Sequence, residues 1–494
     1  MTLRIAYAGI IQLAAQLITL VTGLIFVALV TRNLTIDEFG LWQTLGSVVG
    51  LLLIPLAPLS YWTVRYSARG YEVGRTSLLT GIISIPIFII VYLMLVLTAS
   101  ASIEAILFFV LLYIIQIPAL CVWTSVKPIA TAYKPQYLGY ATIALEIGKV
   151  LGAYYTIAIL KLGLTGAILA LTLGQFFQLA IIIYIIRPKL RGKFNFSILK
   201  EWYKTSWIPM ASVTASRLSI SDSIIVSVIL GSTTVVGLFQ ASRLFTLIVR
   251  YSETFLRVLN PKLIRDDKYE DIVLTLRLQA LVAVPLVVGA LMLSESLLGI
   301  LGIQYMQAAN VLRILTIVAV LEGIEVLIWS ILTGIEKSDQ NIENLQFNKL
   351  KNSWLIRIPL IDLTKYAIYF PTLAMIMYIS RGIENELSLS MYWAIILLLV
   401  TIPITIYKII LVNRAIKLEV PKLSILTYIA SGIVMSGFLY YYTQLIPLTK
   451  TSTIEMILYI IPPGIASVSI YSILIIIFDS FVRKMVKDLI YSKN

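Results

Sequence analysis

Residues Thr233–Asn260 read TTVVGLFQASRLFTLIVRYSETFLRVLN. The stretch is long enough to cross a bilayer as one helix, since about 20 residues at 1.5 Å each span the ~30 Å hydrocarbon core. Three arginines interrupt it, Arg243, Arg250 and Arg257, each seven residues from the next. Seven residues make nearly two helical turns, so the three guanidinium groups share a face, roughly 10 Å apart along the axis. An arginine near the centre of a membrane helix costs roughly 3 kcal/mol on insertion scales. The stripe is therefore expected to face protein, water or an anionic ligand rather than lipid.

The surrounding chain has the same character. Of its 494 residues, 59% are hydrophobic and 13% charged, with a mean hydropathy of +0.93. Fourteen apolar runs of spanning length recur from end to end, at about 5–31, 40–64, 76–98, 104–126, 136–160, 164–186, 205–230, 233–256, 272–300, 308–334, 355–379, 390–412, 423–446 and 455–481. The expected class is an all-α polytopic membrane protein. The first run is too long for the apolar core of a cleavable signal peptide and is expected to be the first anchor.

The net charge of +14 does not indicate nucleic acid, because its distribution follows membrane topology. With the N-terminus inside, 29 of the 39 Lys and Arg fall on the cytoplasmic side and 4 in outer loops (Arg32, Lys161, Arg381, Lys450). The other 6 (Lys149, Arg217, Arg243, Arg250, Arg313, Lys365) lie within runs, while Arg277, Arg357 and Lys408, near run ends, are counted with the cytoplasmic 29. This is the positive-inside bias, and it predicts an even number of spans with both termini cytoplasmic. Cys121 is the only cysteine and histidine is absent. An intramolecular disulfide, histidine catalysis and histidine metal ligation are thereby excluded. No Walker A motif is present, so ATP hydrolysis by this chain is not expected. No catalytic residue, metal site or cofactor is expected, and the chain is expected to act as a monomer.

Three segments follow from the pattern: 1–200 with runs 1–6 and a connector, 201–415 with runs 7–12, and 416–494 with runs 13 and 14 and a cytoplasmic tail. The connector Arg187–Lys204 is basic and aromatic, which suits an interfacial helix; a lipid-headgroup site is the second reading. Gly40-Leu41-Trp42-Gln43 recurs 197 residues later as Gly237-Leu238-Phe239-Gln240. That repeat makes a duplicated six-helix architecture plausible, and transporters place substrate between such repeats. Prolines inside runs, among them Pro55, Pro58, Pro86 and Pro403, are expected to kink helices. Gly46-x-x-x-Gly50 and Gly148-x-x-x-Gly152 are expected to allow close helix contact.

Particular residues carry a family resemblance. Arg32-Asn33-Leu34 followed by Glu38-Phe39-Gly40 resembles the first outer turn of the multidrug/oligosaccharidyl-lipid/polysaccharide flippase superfamily, in particular its O-antigen-type polysaccharide flippases. Asp222, Gly231 and Val236-Gly237-Leu238-Phe239-Gln240-Ala241 resemble that family's hairpin of helices 7 and 8. The resemblance implies two six-helix lobes plus two C-terminal helices, a central cationic cavity, and movement of a lipid-linked oligosaccharide from the inner to the outer leaflet.

The charges inside the runs are the candidate site. Arg257 is near the cytoplasmic surface, where snorkelling to headgroups is the default. Arg250 either pairs with Glu253 at i+3 or lines a cavity. Arg243 is deepest and has no acid at i±3 or i±4. Asp222 is equally far from the turn that joins runs 7 and 8, so a bridge between Asp222 and Arg243 is expected at mid-membrane, as a brace or as a gate. Arg217 points to a different face from Asp222, and Arg313 either lines the cavity or snorkels. Lys149 with Glu146, and Lys365 with Asp362, are expected to neutralise themselves at i−3. Glu322 and Glu325 share a face; they are either a proton or sodium site or pair with bases on neighbouring helices. Together, Arg243, Arg250, Arg217, Arg313 and Lys149 are the candidate substrate-binding cations. Asp222, Glu322, Glu325 and Glu146 are the candidate gating or ion-coupling acids.

Arginine stays charged and binds phosphate oxygens bidentately. The expected ligand is a lipid-linked oligosaccharide on a polyisoprenyl phosphate or pyrophosphate, with its tail in lipid along runs 13 and 14. Membrane lipids and H+ or Na+ are the other expected partners. Rival functions are a multidrug or cation antiporter, which would want acids in the cavity, and a membrane glycosyltransferase with a metal at Asp37-Glu38.

Overall fold

The computed structural model describes residues 18–19, 21–99, 104–134, 136–204, 206–256, 269–336, 353–382, 384–416, 420–446 and 452–491. Arg257 lies outside them, as do most of the loops after runs 8 and 10. The described residues are overwhelmingly helical and contain no strand. In lipid, each backbone N–H and C=O must be satisfied within its own segment, which makes long apolar runs helical. Among the described residues, ten helices are long and apolar enough to cross a membrane, or eleven if one bent pair counts as a span. The chain is a multi-pass membrane protein. It divides into two compact units, Met1–Gly237 and Leu238–Asn494.

The first unit opens with α1 (Val21–Asn33), α2 (Ile36–Leu52) and α3 (Ala57–Ala68). The last two form one span broken by a 3-10 turn, Ile54–Leu56. Pro55 and Pro58 cause the break, since each lacks the N–H that a continuous helix would need. Then come α4 (Gly74–Ala99), α5 (Glu104–Tyr113), α6 (Gln116–Tyr133), α7 (Gln136–Ala153) and α8 (Gly163–Ile186). The connector forms α9 (Phe196–Lys204). Close helix contact is realised at the second glycine pair. A Cβ on Gly148 would lie 3.0 Å from Gly174 Cα, and one on Gly152 would lie 3.0 Å from Ala170 Cα, so α7 and α8 meet backbone to backbone.

Run 7 is not one straight helix. It forms α10 (Trp207–Leu218) and α11 (Asp222–Leu230), bent by 44°. Ser219 Oγ donates to Ser216 O and Ser221 Oγ to Leu218 O. Such local bonds compete with the helical ladder. The following helix, α12 (Thr234–Arg250), starts in the first unit and continues into the second. Asp37 caps its start, accepting from Thr233 N at 3.1 Å and Thr233 Oγ1 at 2.7 Å. The repeated glycines sit at this junction: a Cβ on Gly40 would collide with Thr233 O, and one on Gly237 with Ile36 O. The two copies of the repeat thus touch through glycine.

In the second unit, α13 (Tyr269–Met292), α14 (Ser294–Leu301) and α15 (Ala309–Gly334) precede α16 (Trp354–Ser380) and α17 (Glu386–Ile416). Then follow α18 (Lys422–Leu445), α19 (Thr453–Phe478) and a short terminal helix, α20 (Ser480–Tyr491). α15 packs against α17 and α13, and α18 against α13 and α19. Phe239 of α12 stacks on Trp393 of α17 at 3.8 Å, and Trp393 Nε1 donates to Tyr369 Oη of α16 at 2.7 Å. This aromatic tie holds three helices in register beside the charges described next.

Candidate functional site

The second unit buries a network of charges. Glu325 on α15 is 8% exposed and accepts from two other helices. Lys408 Nζ lies at 2.7 Å and Thr405 Oγ1 at 2.8 Å, both on α17, and Lys365 Nζ on α16 at 3.4 Å. Lys408 also donates to Asp362 on α16. Both lysines are almost wholly buried, at 2% and 3% exposed. At 1.5 Å per residue, Glu325, Asp362 and Lys408 sit roughly 12–14 Å from the helix ends at Gly334, Trp354 and Ile416, near the middle of a ~30 Å core. Two ammonium groups and two carboxylates offset one another there, the condition under which buried ions are tolerated.

Glu322, one turn away on α15, accepts from Arg250 Nη2 of α12. Arg243 also acts electrostatically on Glu322 and on Tyr366. Both acids of α15 are therefore paired with bases on other helices, the second of the two sequence expectations. Arg250 binds Glu322 rather than an acid of its own helix, and its side chain keeps 39% of its exposure. Arg313 is held near the start of α15 by Asn310 Oδ1 at 2.7 Å, Leu291 O at 3.4 Å and Glu295 at 3.5 Å.

The pairing of Lys365 with Asp362 is corrected. Spacing places them on one face, yet Lys365 reaches Glu325 and Asp362 is taken by Lys408. Sequence reasoning missed Lys408, counted there among the cytoplasmic anchors, and with it Thr405; Asp362 was named, but with Lys365 as its partner. A signal was present: Thr405 and Lys408 are one turn apart inside an apolar run, and Lys408 precedes the end of that run.

In the first unit the smaller pair holds as expected. Lys149 Nζ lies 2.7 Å from Glu146. Thr22 Oγ1 of α1 donates to the same carboxylate at 2.5 Å, and the ammonium lies 5.1 Å from the Phe26 ring centre. Asp222 is 1% exposed at the start of α11 and accepts from Ser223 N at 3.1 Å. Arg217 ends α10, and its Nη1 would lie 3.8 Å from a Cβ on Gly50. Asp222 and Arg243 belong to different units. Asp37 and Glu38, the rival metal site, serve as helix caps: Asp37 for α12, and Glu38 in a capping box with Thr35, at 2.9 and 3.1 Å. An apolar groove of about 410 Å³ runs between α18 and α19, lined by Leu426, Ala430, Val434, Leu474 and Phe478.

The spans of this chain thus bury paired charges at mid-depth. Solved structures with the same fold are known. The fold matches the lipid II flippase MurJ in an inward closed conformation, with a TM-score of 0.66 and 14% identity over 96% of this chain and all of that one. It also matches an inward-facing multidrug resistance transporter of the MATE family, MOP superfamily, with a TM-score of 0.59 and 13% identity over 82% of this chain and 98% of that one. A third match is a MOP superfamily transporter from Pyrococcus furiosus, described by the reverse polarity of its binding pocket, with a TM-score of 0.53 and 13% identity over 83% of this chain and 95% of that one. No family model and no curated protein matches the sequence. The chain therefore has the fold of MOP-superfamily transporters.

Proposed function

We propose that the chain is a flippase that moves a lipid-linked oligosaccharide or polysaccharide precursor from the cytoplasmic to the outer leaflet of the cell membrane by alternating access. The observation that carries this reading is the arginine stripe on α12, placed in a transporter fold. Arg243 and Arg250 lie on one helix face, and Arg250 keeps part of its surface accessible while paired with Glu322. A permanently charged, bidentate donor suits phosphate better than it suits a cationic drug. The finer layout belongs to the same proposal: fourteen spans, segments 1–200, 201–415 and 416–494, a cationic cavity and both termini cytoplasmic.

Within this reading Arg243, Arg250, Arg217, Arg313 and Lys149 meet the phosphate, with Arg313 the most peripheral. Asp222, Glu322, Glu325 and Glu146 hold the cations in place and release them during the cycle, with H+ or Na+ as candidate coupling ions. The polarity reversal named for the Pyrococcus furiosus transporter supports the idea that this fold accepts opposite ligand charges. A multidrug antiporter is the second reading, favoured by the likeness to MATE transporters. An enzyme is not proposed, because Asp37 and Glu38 are engaged as caps. The test is depletion of the chain in its host cells. Lipid-linked precursor should then accumulate where an external sugar-modifying reagent cannot reach it. Unchanged precursor together with impaired organic-cation efflux would favour the antiporter.

A further inference from the structure

The first unit contains a second groove, of about 610 Å³, that none of the buried charges uses. One wall is a single face of α4: Thr80, Ser84, Ile87, Val91 and Leu95 recur at helical spacing. The other wall is the Pro55 break between α2 and α3, and the lid is α9 through Leu199 and Tyr203. The connector α9 is fixed there at two points. Trp202 is buried against Tyr66 with ring centres 5.6 Å apart, and Tyr203 Oη donates to Pro55 O at 3.1 Å.

A second cleft, of about 410 Å³, shares Leu199 and Tyr203 with this groove and adds Phe196, Lys200 and Lys204. The two lysines are four residues apart and so share a face of α9. Glu201, the one acid of that helix, bonds Tyr66. The mouth is therefore basic and the shaft apolar, the polarity of an anionic lipid. The length of the shaft decides which lipid. From Thr80 to Leu95 is about 22 Å of helix, and Thr80 already lies about 9 Å beyond the start of α4. The shaft thus passes the midplane of a ~30 Å core, where the acyl chains of a cytoplasmic-leaflet phospholipid end. The groove between α18 and α19 is smaller and has no cation in its lining.

We propose that the α4–α9 groove binds the long isoprenoid chain of the carrier lipid, with the carrier phosphate on Lys200 and Lys204. This rests on the flippase reading for the identity of the carrier. The test is binding of a long-chain polyprenyl phosphate to the purified full chain, with phosphatidylglycerol as competitor. Ile83→Trp, which fills the shaft from its exposed side, and Lys200→Glu/Lys204→Glu, which reverses the mouth, should each weaken binding about tenfold or more. Ala430→Trp in the α18–α19 groove should leave it unchanged. Should Ile83→Trp fail to fold, the exposed lysine pair still decides. Wild-type affinity in the lysine variant overturns the proposal, as does loss of binding in Ala430→Trp. Equal competition by phosphatidylglycerol also overturns it and makes the occupant an ordinary leaflet phospholipid. Leaflet exchange is measured separately: binding without exchange strikes the flippase reading, and exchange without binding strikes this one.

Discussion

Lys408 carries its charge to mid-depth and is tolerated because Glu325 and Asp362 both reach it. Removing one member of such a network costs about 3–5 kcal/mol, because the remaining charge is left buried and uncompensated. Lys408→Met should therefore lower thermal stability in detergent sharply. Lys408→Met/Asp362→Asn leaves the Lys365–Glu325 pair in balance and should recover most of the loss. Equal loss in the single and double variants would refute the network. Residue pairs were legible in the sequence only within one helix. Lys149 and Glu146 were, since i,i+3 spacing fixes their meeting. Lys365 was misassigned, because its partner Glu325 lies 40 residues away on a helix whose rotation the sequence does not show.

Element boundaries followed hydropathy closely, and their interruptions did not. The Pro55 and Pro58 break was foreseeable from the missing N–H groups. The bend between α10 and α11 has no proline; it arises where serine hydroxyls take up backbone carbonyls, a weak signal in sequence. Glycine spacing anticipated the α7–α8 contact. Gly152→Val should cost about 1–3 kcal/mol, since the added carbons press on the Ala170 backbone. Gly437→Val, on α18 with nothing within 4 Å, should cost far less. Comparable melting shifts for the two would contradict backbone-to-backbone packing. Asp37 was read as a possible metal ligand; it is a cap. Asp37→Ala should lower stability by about 0.5–2 kcal/mol, and added divalent cations should not change the wild-type melting temperature.

At the scale of the molecule, composition and the recurring apolar runs revealed the class, and the fold agrees with the resemblance carried by the Gly40 and Gly237 motifs; the charge asymmetry speaks only to topology. The topology is open to a direct check. Cys121 is the only cysteine and is buried, so Cys121→Ser gives a clean background. A cysteine placed at Lys161 should react with an impermeant thiol reagent in intact cells. One placed at Lys193 should react only after permeabilisation. The reverse pattern would invert the topology, and with it the direction of transport. The central claim concerns the stripe on α12, and one measurement reaches it most directly: leaflet exchange of a labelled lipid-linked oligosaccharide in vesicles containing the purified protein. Wild type should exchange the lipid faster than protein-free vesicles. Arg243→Ala and Arg250→Ala should lose at least tenfold, with Arg243→Lys intermediate because charge remains without the bidentate fork. Exchange no faster than in protein-free vesicles, or arginine variants indistinguishable from wild type, would contradict the account.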